Sequence, residues 1–472
     1  MELRPRGRPL RRSPLLIWRL FFIPLLFWPA FASASAAERD YRALSEEITK
    51  KGLTQNYAYN VLGRLTHIGP RLAGSPGAAA AVELMRQEMT DLGLDNVRLE
   101  PTIVGRWVRG EIEEARLISS RLGTLPLSIC ALGGSVATPE GGVRAQVLEV
   151  KSFRELRASG DKAKGRIIFF NRPMDPTRVN SFQAYGEAVE QRTLGAAEAA
   201  KAGGVAALVR SLNFGESDLP HTGMMGYSPE TVRLPAAAIS TRGADLLSRS
   251  LQSDPELSVY FKTSCANLSP LTSFNVSGEI PGTEAPDEIV LLGAHLDSWD
   301  LGQGAHDDGA GCAQVIEALR LLRSAGLRPK RTLRGVLFMD EEFGGTGGRD
   351  YARAESRQGE RHVAALESDR GGFSPVGLGV GGGETVVSRV KAWQPFLFPL
   401  GISWIAPGGG GVDIGPLSTS GTVLMEIVPE AQRYFDAHHS SQDVLAAVHP
   451  RELELGAIVM AVLGFLLAEE GV

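Results

Sequence analysis

Four groups of side chains that can bind metal or move protons fall in fixed order between residues 295 and 369. They are Ala294-His295-Leu296-Asp297, His306-Asp307-Asp308-Gly309-Ala310-Gly311, Asp340-Glu341-Glu342 and Glu367-Ser368-Asp369, with His438-His439-Ser440-Ser441-Gln442-Asp443 downstream. A hydrolytic metal pair needs neutral imidazoles, carboxylates, one group that reaches both ions, and one carboxylate left free to take the proton of the attacking water. His295, Glu341 or Glu342, Asp369 and a late histidine supply ligands. Asp307 is short and rigid enough to span two ions roughly 3.5–4 Å apart. Asp297, two residues past His295, can accept the proton of the second ring nitrogen and fix the tautomer. Glu341 and Glu342 are neighbours and point in different directions, so one can hold metal while the other faces water as general base. Asp308 suits the cap of the following helix, and His306 reads as a loop residue near the mouth of the cleft.

These groups require strands that end together. Residues 288–294, 333–339 and 362–366 are compact apolar runs of buried-strand type, followed by helical patterns over 310–324, 344–354 and 451–469. The alternation predicts a doubly wound α/β fold, with the ligands in the crevice at the carboxyl ends of the strands. The last helix carries an apolar run over 455–468, too short to span a bilayer comfortably and suited to a buried core helix. Upstream, helical patterns flank a loop over 66–75 that could serve as a substrate-side turn or a plain connection, and a strand is expected over 97–104. Between 117 and 270 the texture changes to short β-rich segments, 142–149, 165–170, 205–210 and 235–240, with one alanine-rich helix over 194–202. That segment, without clustered His, Asp or Glu, reads as an inserted subdomain splitting the main domain into 37–116 and 271–472.

With 43% hydrophobic and 22% charged residues in 472, the composition is that of an ordinary globular protein. Five arginines up to Arg12, an apolar run over 15–31 and small residues up to Ala36 have the layout of a cleaved signal peptide over 1–36, which predicts export to a secreted or periplasmic location and no membrane association once it is removed. Six arginines and one glutamate lie in that leader; without them 43 basic side chains face 53 acidic ones, which disfavours a nucleic-acid partner. Three cysteines, Cys130, Cys265 and Cys312, cannot form a disulfide framework. A Cys130–Cys265 bridge is open, and Cys312 reads as a small buried side chain. Asn267 and Asn275 match the glycosylation pattern.

The clusters resemble those of the co-catalytic zinc exopeptidases, a family that includes aminopeptidase Y and the glutamate carboxypeptidases. The similar stretches are Gly293 to Asp300, Gly302 to Gly311, Asp340 to Gly344, Glu367 to Asp369 and Phe435 to Ser440, and the likeness spans about residues 44–469. The resemblance implies that His295 and Asp369 hold one Zn²⁺, Glu342 and His439 the other, and Asp307 bridges them, with Mn or Co as possible substitutes. It makes Glu341 the general base and acid and Asp297 the support of His295. His439 is preferred over His438 because it directly precedes Ser440; His438 then becomes a candidate for polarising the substrate carbonyl. The resemblance further implies a cis peptide after Asp307, a mixed sheet, a protease-associated character for the insert, a homodimer, and dipeptides or short peptides as substrates. A general aminopeptidase, a single-zinc cyclase or deacylase, and a non-catalytic receptor are the competing readings of the same scaffold.

Overall fold

The computed structural model describes residues 36–472, so the expected leader lies, but for its last residue, outside the described residues. Among the described residues sixteen strands follow one another: β1 (Asp95–Val108), β2 (Glu113–Ser119), β3 (Gly123–Pro126), β4 (Ile129–Ala131), β5 (Val143–Val150), β6 (Ile167–Phe170), β7 (Ala206–Arg210), β8 (Ala236–Ile239), β9 (Ser258–Thr263), β10 (Ala266–Ile280), β11 (Ala285–His295), β12 (Arg331–Phe338), β13 (Arg361–Glu367), β14 (Pro375–Val380), β15 (Trp404–Pro407) and β16 (Val423–Pro429). Two eight-stranded sheets result. One has the order β1-β10-β12-β11-β13-β16-β14-β15, the other β3-β2-β9-β5-β6-β7-β8-β4. In the first, β12, β11, β13 and β16 run parallel at the centre, while β10 and β14 join them antiparallel. The mixed doubly wound sheet is therefore present.

The parallel centre follows from strands buried on both faces, which read as unbroken apolar runs. The helix Ala310–Ser324 and the last helix, Pro450–Glu470, cover it, and the latter is buried almost continuously from Leu453 to Ala468. Among the described residues no helix is long and apolar enough to cross a membrane.

Sequence patterns undersized β1 and left most of its partner, β10, unassigned. These two strands form a long antiparallel ribbon in which Asp95 faces Glu279 and Val108 faces Ala266. β1 mixes exposed, half-buried and buried positions without a strict period, and β10 passes from a mostly exposed first half to one buried continuously from Asn275 to Ile280, so neither strand shows the clean period-2 signal. The second sheet draws its strands from residues 113–263, against an expected insert of 117–270, and residues 44–472 form one compact body.

The loop after the helix Tyr57–His67 is an anchor. Arg71, wholly buried, donates to the carbonyls of Leu296 (2.9 Å), Gln303 (2.5 Å) and Gly304 (2.9 Å), and its N–H donates to Ser298 Oγ (3.1 Å). It thus clamps the turn that follows β11 and satisfies its carbonyls, those of Leu296 and Gly304 in buried contacts. Cys130, Cys265 and Cys312 are all free and buried. Asn275 is also buried, bonded to Gly347 O (3.0 Å) and Met339 N (2.9 Å), so its sequon belongs to the core.

Candidate functional site

Three adjacent parallel strands, β12, β11 and β13, end side by side, with His295 paired to Phe338 and Gly293 to Glu367. Their next residues, 296–297, 340–342 and 368–369, therefore meet at one edge of the sheet. His439 enters from the loop before the last helix.

Asp307 sits at the centre. Its Oδ1 is 3.3 Å from His295 Nε2, and its Oδ2 is 3.3 Å from His439 Nε2. His295 Nε2 is in turn 3.3 Å from Asp369 Oδ1, and His439 Nε2 is 3.0 Å from Glu342 Oε2. Each carboxylate oxygen of Asp307 thus faces a separate imidazole–carboxylate pair. The peptide bond between Asp307 and Asp308 is cis, as the resemblance implies. His295 Nε2, Asp307 Oδ2 and Glu342 Oε1 are buried without a hydrogen-bond partner. Donor atoms of His295, Asp307 and Glu342 lie within 4.8 Å of one another, as do those of His295, Asp308 and Asp369 and those of Asp307, His438 and His439. Buried nitrogen and carboxylate donors converging without partners fit divalent metal ions of zinc type.

The electrostatics agree with that fit. Burial opposes charge on His295, yet Asp369 and Asp307 raise its pKa well above the ordinary value. Burial likewise opposes charge on His439, but Glu342 and Asp307 raise its pKa to about 9. Burial would raise Asp307, but hydrogen bonds from the two histidines hold it well below the carboxylate range. Glu341 lies on the cleft wall; burial, then the nearby carboxylates of Asp369, Glu342 and Asp413, push it well up. The carboxylates gather whatever cation is offered, and Glu341 has proton affinity to spare for a base.

Asp297 is fully buried, and its carboxylate stands 3.8 Å from His295 Nδ1, which lies closer to the Asp297 backbone carbonyl (3.1 Å). Its oxygens instead accept the backbone N–H groups of Asp340 (2.8 Å), Glu341 (3.1 Å) and Glu342 (3.3 Å). Asp297 therefore holds the turn that aims Glu341 and Glu342. In that turn Asp340 adopts φ +75°, and His439 adopts φ +58°, left-handed values uncommon for such residues and over-determined here by hydrogen bonds. Asp308 caps the helix through Gly311 N (2.9 Å) and also accepts His295 N (3.1 Å).

His306 is no mouth residue. It is buried, stacks on Phe373 (4.3 Å between rings), and bonds Ala447 O and Gly372 N; burial lowers its pKa to about 4. His438 stacks on His439 at 3.6 Å with its Nε2 3.8 Å from Asp307, and burial holds it well below its ordinary value, so it is neutral.

Two partners escaped the sequence reading. Asp443 accepts the N–H groups of His306 (2.6 Å) and Asp307 (3.2 Å), and Trp299 Nε1 donates to Glu342 Oε2 (2.6 Å). Asp443 lies 136 residues from Asp307 along the chain, so no local pattern announces the contact. The second sheet's layer also reaches the site: His439 Nδ1 lies 3.3 Å from Thr222 O, and His439 O accepts Thr222 N (2.9 Å). A cavity of about 470 Å³ opens over the cluster, lined on that side by Phe182, Tyr185, Arg192 and Met224.

Residues 275–461 match peptidase family M28. The chain is 35% identical over 461 residues to carboxypeptidase Q of Bos taurus, covering 95% of each chain, and 36% identical over 419 residues to carboxypeptidase Q of Homo sapiens, covering 89% of this chain and 86% of that one. The chain belongs to peptidase family M28. A crystal structure of a peptidase M28 precursor from Shewanella amazonensis superposes with a TM-score of 0.88 at 34% identity, over 92% of this chain and 98% of that one. A zinc aminopeptidase from Bacillus subtilis shares the fold at TM-score 0.62 and 22% identity, over 86% of this chain and 94% of that one. This family member is a metallopeptidase, and the cluster around Asp307 is where its metal chemistry fits.

Proposed function

We propose that the protein is an exported two-metal exopeptidase acting on dipeptides or short peptides with a free terminus. The observation that carries this reading is the pair of faces on Asp307, each oxygen set 3.3 Å from a different imidazole. A single-metal cyclase or deacylase would leave one imidazole–carboxylate pair with nothing to hold. His295 and Asp369 would hold one ion, Glu342 and His439 the other, with Asp307 shared; zinc is the proposed native metal, with Mn or Co as substitutes. When bound, such a pair polarises the scissile carbonyl and lowers the pKa of water. Glu341, outside the ligand set, takes the proton of the attacking water and returns it to the leaving amine. Asp297 keeps Glu341 aimed through the backbone of the 340–342 turn. His438, neutral and beside Asp307, is placed to donate to the developing oxyanion. The layer built on residues 113–263 acts as the inserted, protease-associated subdomain that frames the cleft, and the active form is a homodimer.

The test is metal content of the purified mature protein together with turnover of unblocked, N-blocked and C-amidated dipeptides. About two metal equivalents per chain with dipeptide cleavage supports the reading, and cleavage of C-amidated substrates moves it toward a general aminopeptidase. One equivalent without hydrolysis overturns it in favour of the cyclase or receptor readings. Glu341→Gln should lower kcat by about 10²–10⁴ with metal retained; normal turnover in that variant removes Glu341 from its role.

A further inference from the structure

Residues 113–263, which build the second sheet, contain one histidine, His221. It is buried, and its own layer holds its backbone. His221 N donates to Ser211 Oγ (2.9 Å), and that hydroxyl donates to Ile239 O (2.8 Å) at the end of β8. Two residues on, Gly133 N donates to Gly223 O and Met225 N to Gly133 O, both at 2.9 Å. The segment 221–225 is thus pinned at both ends.

The ring of His221 reaches the other layer. Its Nδ1 is 2.7 Å from His438 O. A carbonyl only accepts, so Nδ1 carries the proton, and Nε2 is left buried without a partner. Next to it, Thr222 N donates to His439 O (2.9 Å). Two consecutive residues therefore hold the two peptide groups that flank the Cα of His439.

Those peptides form an uncommon turn. Ser440 N donates to Ala437 O (3.0 Å), His438 stands at φ −44° and ψ +122°, and His439 at φ +58°. This is a type II turn, whose second central position needs positive φ and suits Gly or Asn. A type I turn follows the same path with the central peptide rotated by about 180°, and leaves that residue at negative φ, which a side chain with a Cβ prefers. The rotation would reverse the His438 carbonyl, so the bond from His221 exists only in the type II form. It would also change the angle at which the His439 side chain leaves the backbone, and with it the approaches of Nε2 to Asp307 (3.3 Å) and Glu342 (3.0 Å).

Resting on the two-metal reading above, we propose that His221 is a positioning residue: its Nδ1–H locks the central peptide of the 437–440 turn and so keeps His439 aimed at Asp307 and Glu342. A side chain of the second layer, touching neither ligand nor cleft, then sets the affinity of one ion of the pair.

The test is competition for Zn²⁺ between a chelator and the purified protein, with thermal unfolding of the metal-free form alongside, for the wild type, His221→Asn and His221→Gln. Asn can place an amide N–H where His carries Nδ1, whereas Gln carries it one carbon further out. His221→Asn should hold both equivalents within about threefold of the wild type, and His221→Gln should weaken one of the two at least about tenfold and spare the other. Unchanged affinities in His221→Gln, equal weakening of both equivalents, or the same loss in the Asn and Gln variants overturns the assignment alone. A lower Tm in both variants with affinities intact marks a scaffold residue and overturns it too. A wild type that binds one equivalent overturns the two-metal reading and the assignment with it. Should His221→Gln fail to fold, Ser211→Ala decides: it frees the His221 backbone without touching a ligand and should weaken the same single equivalent, and unchanged affinity for both overturns the assignment.

Discussion

Replacing Asp297 by Asn should lower kcat/KM on a dipeptide by about two orders of magnitude while leaving metal bound. The Asp297 carboxylate accepts three backbone N–H groups, two on Oδ1 and one on Oδ2. Asn keeps one acceptor oxygen, so the two bonds of Asp340 and Glu341 survive with a neutral partner and the amide nitrogen meets the Glu342 N–H donor to donor. Exchanging a charged acceptor for a neutral one weakens each surviving bond by about 1 kcal/mol, and a buried donor left unmade costs about 1–3 kcal/mol, giving about 3–5 kcal/mol in all. Part of this falls on global stability and part on the geometry of the turn. If about 2–3 kcal/mol reaches the transition state, kcat/KM falls about 30–150-fold at 1.36 kcal/mol per decade. The assay is steady-state kinetics with metal analysis and thermal unfolding on the same preparation. A variant within threefold of the wild type refutes the anchoring argument. Loss of metal with unchanged turnover per bound ion refutes it in another way and returns Asp297 to orienting His295.

Other residues give sharp expectations. Asp443→Asn should weaken metal binding about tenfold in chelator competition, because the carboxylate that receives the backbone of Asp307 is lost. Arg71→Met should lower Tm markedly, at a cost of about 3–5 kcal/mol, since two buried carbonyls and a part-buried one lose their donor. His362 is buried, with its pKa lowered to about 4 by burial and then Arg334. The unfolded chain takes up this proton first, so its contribution to stability is full above about pH 6.5 and is lost as pH falls toward 4, on the order of 3 kcal/mol. Urea unfolding of the wild type against His362→Gln between pH 7 and 4 should show a shallower acid loss in the variant.

Much of this centre is legible from one sequence because its ligands follow strand ends. His295, Glu342 and Asp369 each stand within a few residues of a run so apolar that its strand assignment is secure, and adjacency of those strands converts spacing into proximity. What the sequence hid falls into two kinds. Some partners are remote in the chain, such as Asp443 beneath Asp307 and Arg71 beneath the 296–304 turn, and no local period encodes them. Others are close in sequence but act in an unexpected direction. Asp297 lies two residues from His295, and proximity suggested an imidazole partner, yet the strand ends bring three backbone N–H groups nearer to its oxygens. His306 sits among ligands and turns into the core against Phe373 instead. A long strand such as β10, mostly exposed in its first half and continuously buried in its last six residues, lacks the alternation that a period-2 reading needs.

The position of His439 ties the two sheets into one catalytic unit. Its backbone and ring meet Thr222 from the second sheet's layer, and the Thr222 hydroxyl receives Arg109 Nη2 at 3.2 Å. Arg109 in turn pairs with Asp300 at 2.5 and 2.9 Å, in the same turn that carries Asp297 and Trp299. One face of Asp307 is therefore built from the carboxyl ends of the central strands alone, and the other includes a histidine that is held in part by the second layer. The coupling predicts an order of metal loss. Asp300→Asn weakens one contact between the layers, its pairing with Arg109, without touching a ligand, so the ion at the Glu342–His439 face should leave first under chelation, with one equivalent released well before the second. Simultaneous release of both equivalents, as in the wild type, would show that the second layer does not hold that face.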